Sequence, residues 1–251
     1  MVVAMKCLLK LDDFFSKRIS SYFVMDILLH EADALRTNLY LIAMRDEMKK
    51  IKQLFLVSLL MLLASCNNND SSLTFLRPND VIVAFGDSLT SGVGAKSELS
   101  YPAQLRRLLG RKVVNAGIPG EISAEGASRL PGVLDQHKPE LLIICHGGND
   151  ILRKLDREEL RNNLRRMYEA ANQRGIEVVL VTVPQLGLGL HDVKLYQELG
   201  DELKIPVLSG TLGELLADNR YKSDPVHLNR HGYEKLAEAI ADLLAKNGAL
   251  Q

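Results

Sequence analysis

The 251-residue chain predicts an α/β fold, with one three-layer α/β/α domain from about residue 79 to 248. Three observations predict it. Short apolar runs recur from Val81 onward, amphipathic segments of helical period lie between them, and two of the runs lead directly into glycine- and aspartate-rich clusters. Such alternation marks a parallel sheet covered by helices on both faces, whose strands are buried on both sides and read as continuous apolar stretches.

The first strand is Val81 to Phe85, with Gly86-Asp87-Ser88-Leu89 directly after it. Pro102 near a helix start and Gly110 near its end frame a short helix carrying Leu105, Leu108 and Leu109. Lys112 to Asn115 forms the second strand, and a helix begins near Ser123. Leu141 to Cys145 is the third strand, running into Gly147-Gly148-Asn149-Asp150. Leu160, Leu164, Met167, Tyr168 and Ala171 recur at helical spacing, with Gly175 placed as the stop. Val178 to Val183 and Ile205 to Leu208 complete five strands, and Tyr233, Leu236, Ala237, Ile240, Leu243 and Leu244 mark a C-terminal helix. Both helical stripes read as core faces, and no internal repeat is evident.

A charged fraction of 25% and a hydrophobic fraction of 47% suit one medium domain with an appendage. Lysine plus arginine and aspartate plus glutamate balance at 31 each, without a basic stripe, so no nucleic-acid partner is expected. The lack of tryptophan argues against a carbohydrate-stacking platform.

The appendage runs from Met48 to Cys66: a cationic start, an apolar stretch from Leu54 to Ala64, then small residues before the cysteine. That is the layout of an export signal, and its apolar stretch is shorter than the roughly 20 residues a spanning helix needs. Leu63-Ala64-Ser65-Cys66 is similar to the bacterial lipobox, which implies cleavage before Cys66, lipidation of that cysteine and anchoring to a membrane of the bacterial cell envelope, periplasmic or at the outer surface. Residues 48–65 are then the signal and 66–78 a polar linker. Residues 1–47 are either a mis-assigned translation start or an N-terminal extension. In the processed form Cys145 is the only free thiol, and no intramolecular disulfide is possible.

Ser88 stands at the carboxyl end of the first strand, where α/β folds place their chemistry. A serine hydroxyl is protonated at neutral pH and needs a base, usually histidine. His227 is the candidate, and Asp224, three residues earlier, is placed to hold its tautomer from the same loop. Either pattern alone is a common accident: Gly-Asp-Ser is an ordinary turn, and Asn149 after a strand suits an Asx turn.

Taken together, Gly86-Asp87-Ser88-Leu89, Asn115-Ala-Gly-Ile-Pro-Gly120, Gly147-Gly148-Asn149-Asp150 and Asp224-Pro-Val-His227 resemble the four blocks of the SGNH hydrolases, or GDSL esterase and lipase family. The resemblance spans about residues 79 to 246. It implies a flavodoxin-like strand order, a Ser88, His227 and Asp224 triad, and an oxyanion hole from the backbone N–H groups of Ser88 and Gly120 and the side-chain amide of Asn149. Gly117 is a near competitor of Gly120. Asp87 and Asp150 are expected to brace loops, and His146 to be structural; His191 and His231 look helical or loop-exposed.

Other chemistries fit less well. In Gly92-Val-Gly-Ala-Lys96-Ser97, Ala95 stands where a phosphate-binding loop needs glycine. No histidine cluster has metal-ligand spacing, and Thr90 replaces the last glycine of a Gly-x-Ser-x-Gly elbow. No metal, cofactor or obligate protein partner is expected.

Gly120-Glu-Ile-Ser123 and the compact spacing look most like the bacterial arylesterase, thioesterase and lysophospholipase branch. The expected reaction is acyl transfer from a small-molecule or lipid ester. An acetylated cell-envelope sugar is the alternative substrate, and a silent lipid or glycan binder the alternative class. Leu186-Gly-Leu-Gly-Leu190 either contacts an acyl chain or packs on the core.

Overall fold

The computed structural model describes residues 36, 40, 44–56, 73–185 and 191–250. The chain divides into two units, residues 1–68 and 69–251. In the first, residues 44–56 are helical, with Lys49 paired to Asp46 and Lys50 to Glu47. This helix includes the start of the expected signal. Leu63 to Cys66, the lipidation site and the proposed cleavage point lie outside the described residues, as does Leu186 to Leu190.

The second unit is built on five parallel strands: β1 (Val81–Gly86), β2 (Lys112–Gly117), β3 (Leu141–Cys145), β4 (Glu177–Val181) and, later in the chain, β7 (Val207–Leu208). Their order is β2-β1-β3-β4-β7, the flavodoxin-like arrangement that was expected. Register runs Val83 opposite Val114 and Leu142, so β1 lies between β2 and β3, and β3 is the central strand. Ile82 to Phe85 and Leu141 to Ile144 are wholly buried. Each such side chain larger than Ala84 contributes about 1.5–3 kcal/mol by leaving water, which is why these two strands anchor the fold. Pro206 has no N–H to donate, so the fifth strand is shorter than the apolar run from Ile205 suggested. Past β4 the chain turns away and pairs β5 (Pro184–Gln185) with β6 (His191–Asp192) as a small antiparallel ribbon. His191 therefore sits in a strand and not in a helix or open loop.

The helices are α1 (Ser88–Ser91), α2 (Tyr101–Leu109), α3 (Ser123–His137), α4 (Gly148–Leu152), α5 (Arg157–Asn172), α6 (Lys194–Leu203), α7 (Thr211–Ala217) and α8 (Arg230–Lys246). Asp156 caps α5 by accepting from Glu158 and Glu159, and Asn229 caps α8 in the same way. The stripe of α5 buries Leu160, Leu164, Met167 and Ala171. That of α8 buries Tyr233, Leu236, Ala237, Ile240 and Leu244. On α2 Leu105 is buried, whereas Leu108 is 53% exposed.

The stretch expected to be linker up to residue 78 is partly packed. Leu73 and Leu76 are buried, and their N–H groups bond to the carbonyls of Asn247 and Ala249. Thr74 bonds to the Glu177 carboxylate at the start of β4, and the Leu76 carbonyl accepts from Arg111 just before β2. The folded unit thus begins earlier than residue 79, with this segment lying at the amino ends of the strands.

Candidate active site

Ser88 is the first residue of α1. Asp87, the N-cap, accepts the Leu89 N–H, which fixes the turn out of β1. A first-turn N–H has no partner within its own helix, so that of Ser88 stays available.

His227 Nε2 lies 3.0 Å from Ser88 Oγ, across 139 residues of sequence. Its Nδ1 lies 2.7 Å from Asp224 Oδ2, while Asp224 Oδ1 accepts the N–H groups of Val226 and His227 at 2.9 Å each. This local ring of bonds explains the three-residue spacing. With Nδ1–H given to the carboxylate, the Nε2 lone pair faces the serine hydroxyl. Partial burial pushes the Asp224 carboxyl up, but the two backbone donors and the ring outweigh it and hold the group below its ordinary range.

Gly120 and Asn149 line the same cleft as Ser88 and His227. Gly120 has φ of +80°, a conformation that side chains rarely adopt, which accounts for glycine there. Among the described residues no acceptor takes its N–H. Gly117 is different: its N–H is engaged by Asn115 Oδ1 at 3.0 Å, and it does not line the cleft. Asn149 donates one amide hydrogen to the Glu121 carbonyl at 2.9 Å, which fixes its side chain and leaves the second hydrogen.

The cleft holds about 280 Å³, and apart from these polar groups its walls are mainly apolar: Leu89, Val93, Ile151, Leu152, Val183 and Leu216 among them. The bracing aspartates occupy the expected positions. Asp87 Oδ2 accepts the Gly148 N–H at 3.2 Å, and Asp150 holds Ser123 through both its backbone N–H and its hydroxyl, at 2.9 and 2.6 Å. His146 is wholly buried and paired with Glu121. His231 is on α8, with its Nδ1 3.7 Å from Glu234. Among the described residues no three His, Cys, Asp or Glu side chains gather as metal ligands would.

The sequence profile of the GDSL-like Lipase/Acylhydrolase family matches residues 84–235. The chain belongs to this family. It is similar to Thioesterase 1/protease 1/lysophospholipase L1 of Escherichia coli (strain K12), 28% identical over 173 residues, which are 66% of this chain and 83% of that one. It is also similar to an arylesterase of Vibrio mimicus, 28% identical over 182 residues, covering 68% of this chain and 91% of the other. Among solved structures, the SGNH-hydrolase family esterase AlinE4 superposes with a TM-score of 0.53 at 34% identity, over 67% of this chain and 96% of AlinE4. As a GDSL-like acylhydrolase the chain is a carboxylic ester hydrolase, and its fold is that of the SGNH hydrolases.

In the sequence Glu121 stands only within Gly120-Glu-Ile-Ser123, with no role assigned, and Arg129 is not singled out. Arg129 bonds both Glu121 oxygens, at 2.5 and 2.8 Å, and its guanidinium lies 4.0 Å from the Phe85 ring centroid. Glu121 adjoins the glycine of the second block, which is the one local signal for it; Arg129 has none.

Proposed function

We propose that this GDSL-like acylhydrolase cleaves acyl esters through an acyl-enzyme, with Ser88 as nucleophile, His227 as general base and then acid, and Asp224 as the group that orients the imidazole. The observation that carries this reading is the continuous Asp224, His227, Ser88 chain of contacts at 2.7 and 3.0 Å. Ser88 Oγ attacks the ester carbonyl as its proton passes to His227 Nε2. The oxyanion is received by the N–H groups of Ser88 and Gly120 and by the free amide hydrogen of Asn149, three donors around one cleft. His227 protonates the leaving alcohol, then activates the water that releases the acid.

The apolar walls support an acyl chain as the group held beside Ser88, in keeping with a relative named as a lysophospholipase and thioesterase. Rates across p-nitrophenyl esters of increasing chain length test this: turnover rises beyond acetate, whereas a sharp preference for acetate moves the substrate to acetylated sugars. Ser88→Ala abolishes that turnover and labelling by a fluorophosphonate while leaving the fold intact. Undiminished activity would exclude the assignment.

The Met48 to Cys66 pattern supports export and acylation of Cys66 in a bacterial envelope. Intact mass of the native protein checks it, since a product starting at or before Met44 without lipid rules it out.

A further inference from the structure

One residue joins the two loops that carry the proposed oxyanion donors through both its backbone and its side chain. Glu121 follows Gly120 directly, and its backbone carbonyl accepts from the Asn149 amide at 2.9 Å. Its side chain reaches the same loop from below, with Oε2 3.0 Å from His146 Nε2. The Gly147 N–H donates to His146 Nδ1 at 2.8 Å, so Nδ1 keeps its lone pair and Nε2 carries the proton toward Glu121. The His146 carbonyl is held in turn by the Tyr196 hydroxyl at 2.8 Å.

The brace is built into the packing. A Cβ on Gly126 would lie 2.4 Å from His146 Nε2, so α3 passes the ring only because that position carries no side chain. Arg129, one turn further along α3, bonds both carboxylate oxygens of Glu121 and also the Ala116 carbonyl at 2.8 Å, tying the brace to the end of β2. Burial pushes the Glu121 carboxyl up, but the hydrogen bonds from His146 and Arg129 and the Arg129 charge pull it further down, below the usual carboxylate range. None of these three side chains lines the cleft.

We propose that Glu121 is a positioning residue that clasps the two donor loops together, so that the Gly120 N–H and the Asn149 amide keep their spacing, with His146 and Arg129 holding its carboxylate. The inference rests on the donor assignment made above. Asp150 also reaches across to Ser123, and Arg153 to the Gly120 carbonyl; Glu121 alone among the described residues bonds Asn149 through its backbone and His146 through its side chain.

The test is steady-state kinetics on a p-nitrophenyl ester with Glu121→Gln, Asn149→Ala and the double variant. A glutamine turns an NH₂ toward donors it cannot accept from. Glu121→Gln is expected to lower kcat about ten- to a hundredfold with KM within about threefold, the split that marks loss of an interaction made in the transition state. Adding it to Asn149→Ala costs less than the product of the two single effects, because part of what Glu121 does is to place the Asn149 amide. An unchanged kcat, or fully multiplicative effects, overturns the clasp. Arg129→Lys keeps the charge but not the fork, and gives a smaller kcat loss of the same kind; if Glu121→Gln does not fold, a normal kcat in this variant overturns the clasp instead. Ser88→Ala in the same assay separates the two failures. If it stays active, the underlying reading falls; if it is dead and Asn149→Ala slow while Glu121→Gln and Arg129→Lys are normal, only the clasp falls.

Discussion

Asp87 Oδ2 accepts the Gly148 N–H at 3.2 Å, so the turn that presents Ser88 and the loop that presents Asn149 share a carboxylate. The other oxygen takes the Leu89 N–H. Asp87 is almost wholly buried, and the two bonds compensate a charge that the interior disfavours.

That burial sets a pH signature. Desolvation raises the Asp87 carboxyl above its ordinary value, against His146, the two N–H donors and His227. The folded protein thus binds this proton more tightly than the unfolded chain. The group's contribution to stability is full at low pH and is lost as pH rises through the folded pKa. Asp87→Asn cannot ionise, so thermal melts should show the wild-type Tm losing ground to the variant as pH climbs from acid to neutral. A gap moving the other way would contradict the buried-carboxylate assignment.

Asp224 has the opposite sign. Its folded pKa is lowered, so its contribution is present above the ordinary carboxylate value of 3.8 and fades as pH falls through the folded pKa. Asp224→Asn keeps an Oδ1 acceptor for Val226 and His227 but loses the charge that holds the imidazole. Its kcat should fall by about 10² to 10⁴ at neutral pH, and its Tm deficit should shrink in strong acid. A deficit growing in acid would show that another group dominates.

Gly120→Ala separates backbone strain from crowding. A Cβ there meets no heavy atom within 4 Å, yet φ of +80° is strained for alanine. A cost of about 1–3 kcal/mol is expected from conformation alone. Relief of that strain would turn the Gly120 N–H, so kcat should fall with it. Denaturant melts and kinetics on one preparation check both, and a neutral variant would show that the turn tolerates any residue.

Cys145 sits in β3, wholly buried, with its thiol pushed far up, chiefly by burial and further by the nearby Asp87. In folded protein, iodoacetamide should leave the Cys145 peptide unmodified by mass spectrometry, and should modify it fully in denaturant. Labelling of the native protein at Cys145 would place the thiol at an accessible surface.

The strands were legible because parallel strands buried on both faces must be apolar throughout, as in Val81 to Phe85 and Leu141 to Cys145. The proposed Ser88, Asp224 and His227 group could be read only through the resemblance of the four blocks taken together, because each local turn pattern by itself is common. Four helices, α1, α4, α6 and α7, escaped notice. In α6 the apolar stripe is interrupted by Gly200, whose missing side chain makes room for Val207, a reason visible only in three dimensions. The Glu121, His146 and Arg129 brace was equally hidden, since no local period links positions 8 and 25 residues apart.

The pairing of Leu73 with Asn247 and of Leu76 with Ala249 brings the chain into and out of the folded unit at neighbouring points. Both lie by the amino ends of the strands, while Ser88 and its partners lie at the carboxyl ends. A circular permutant with Ala249 linked to Leu73 and new ends in a remote surface loop should therefore be feasible. By the same geometry, a surface or carrier coupled directly at Leu73 or Ala249 meets the folded unit on its back, and the mouth of the cleft is left facing open solution.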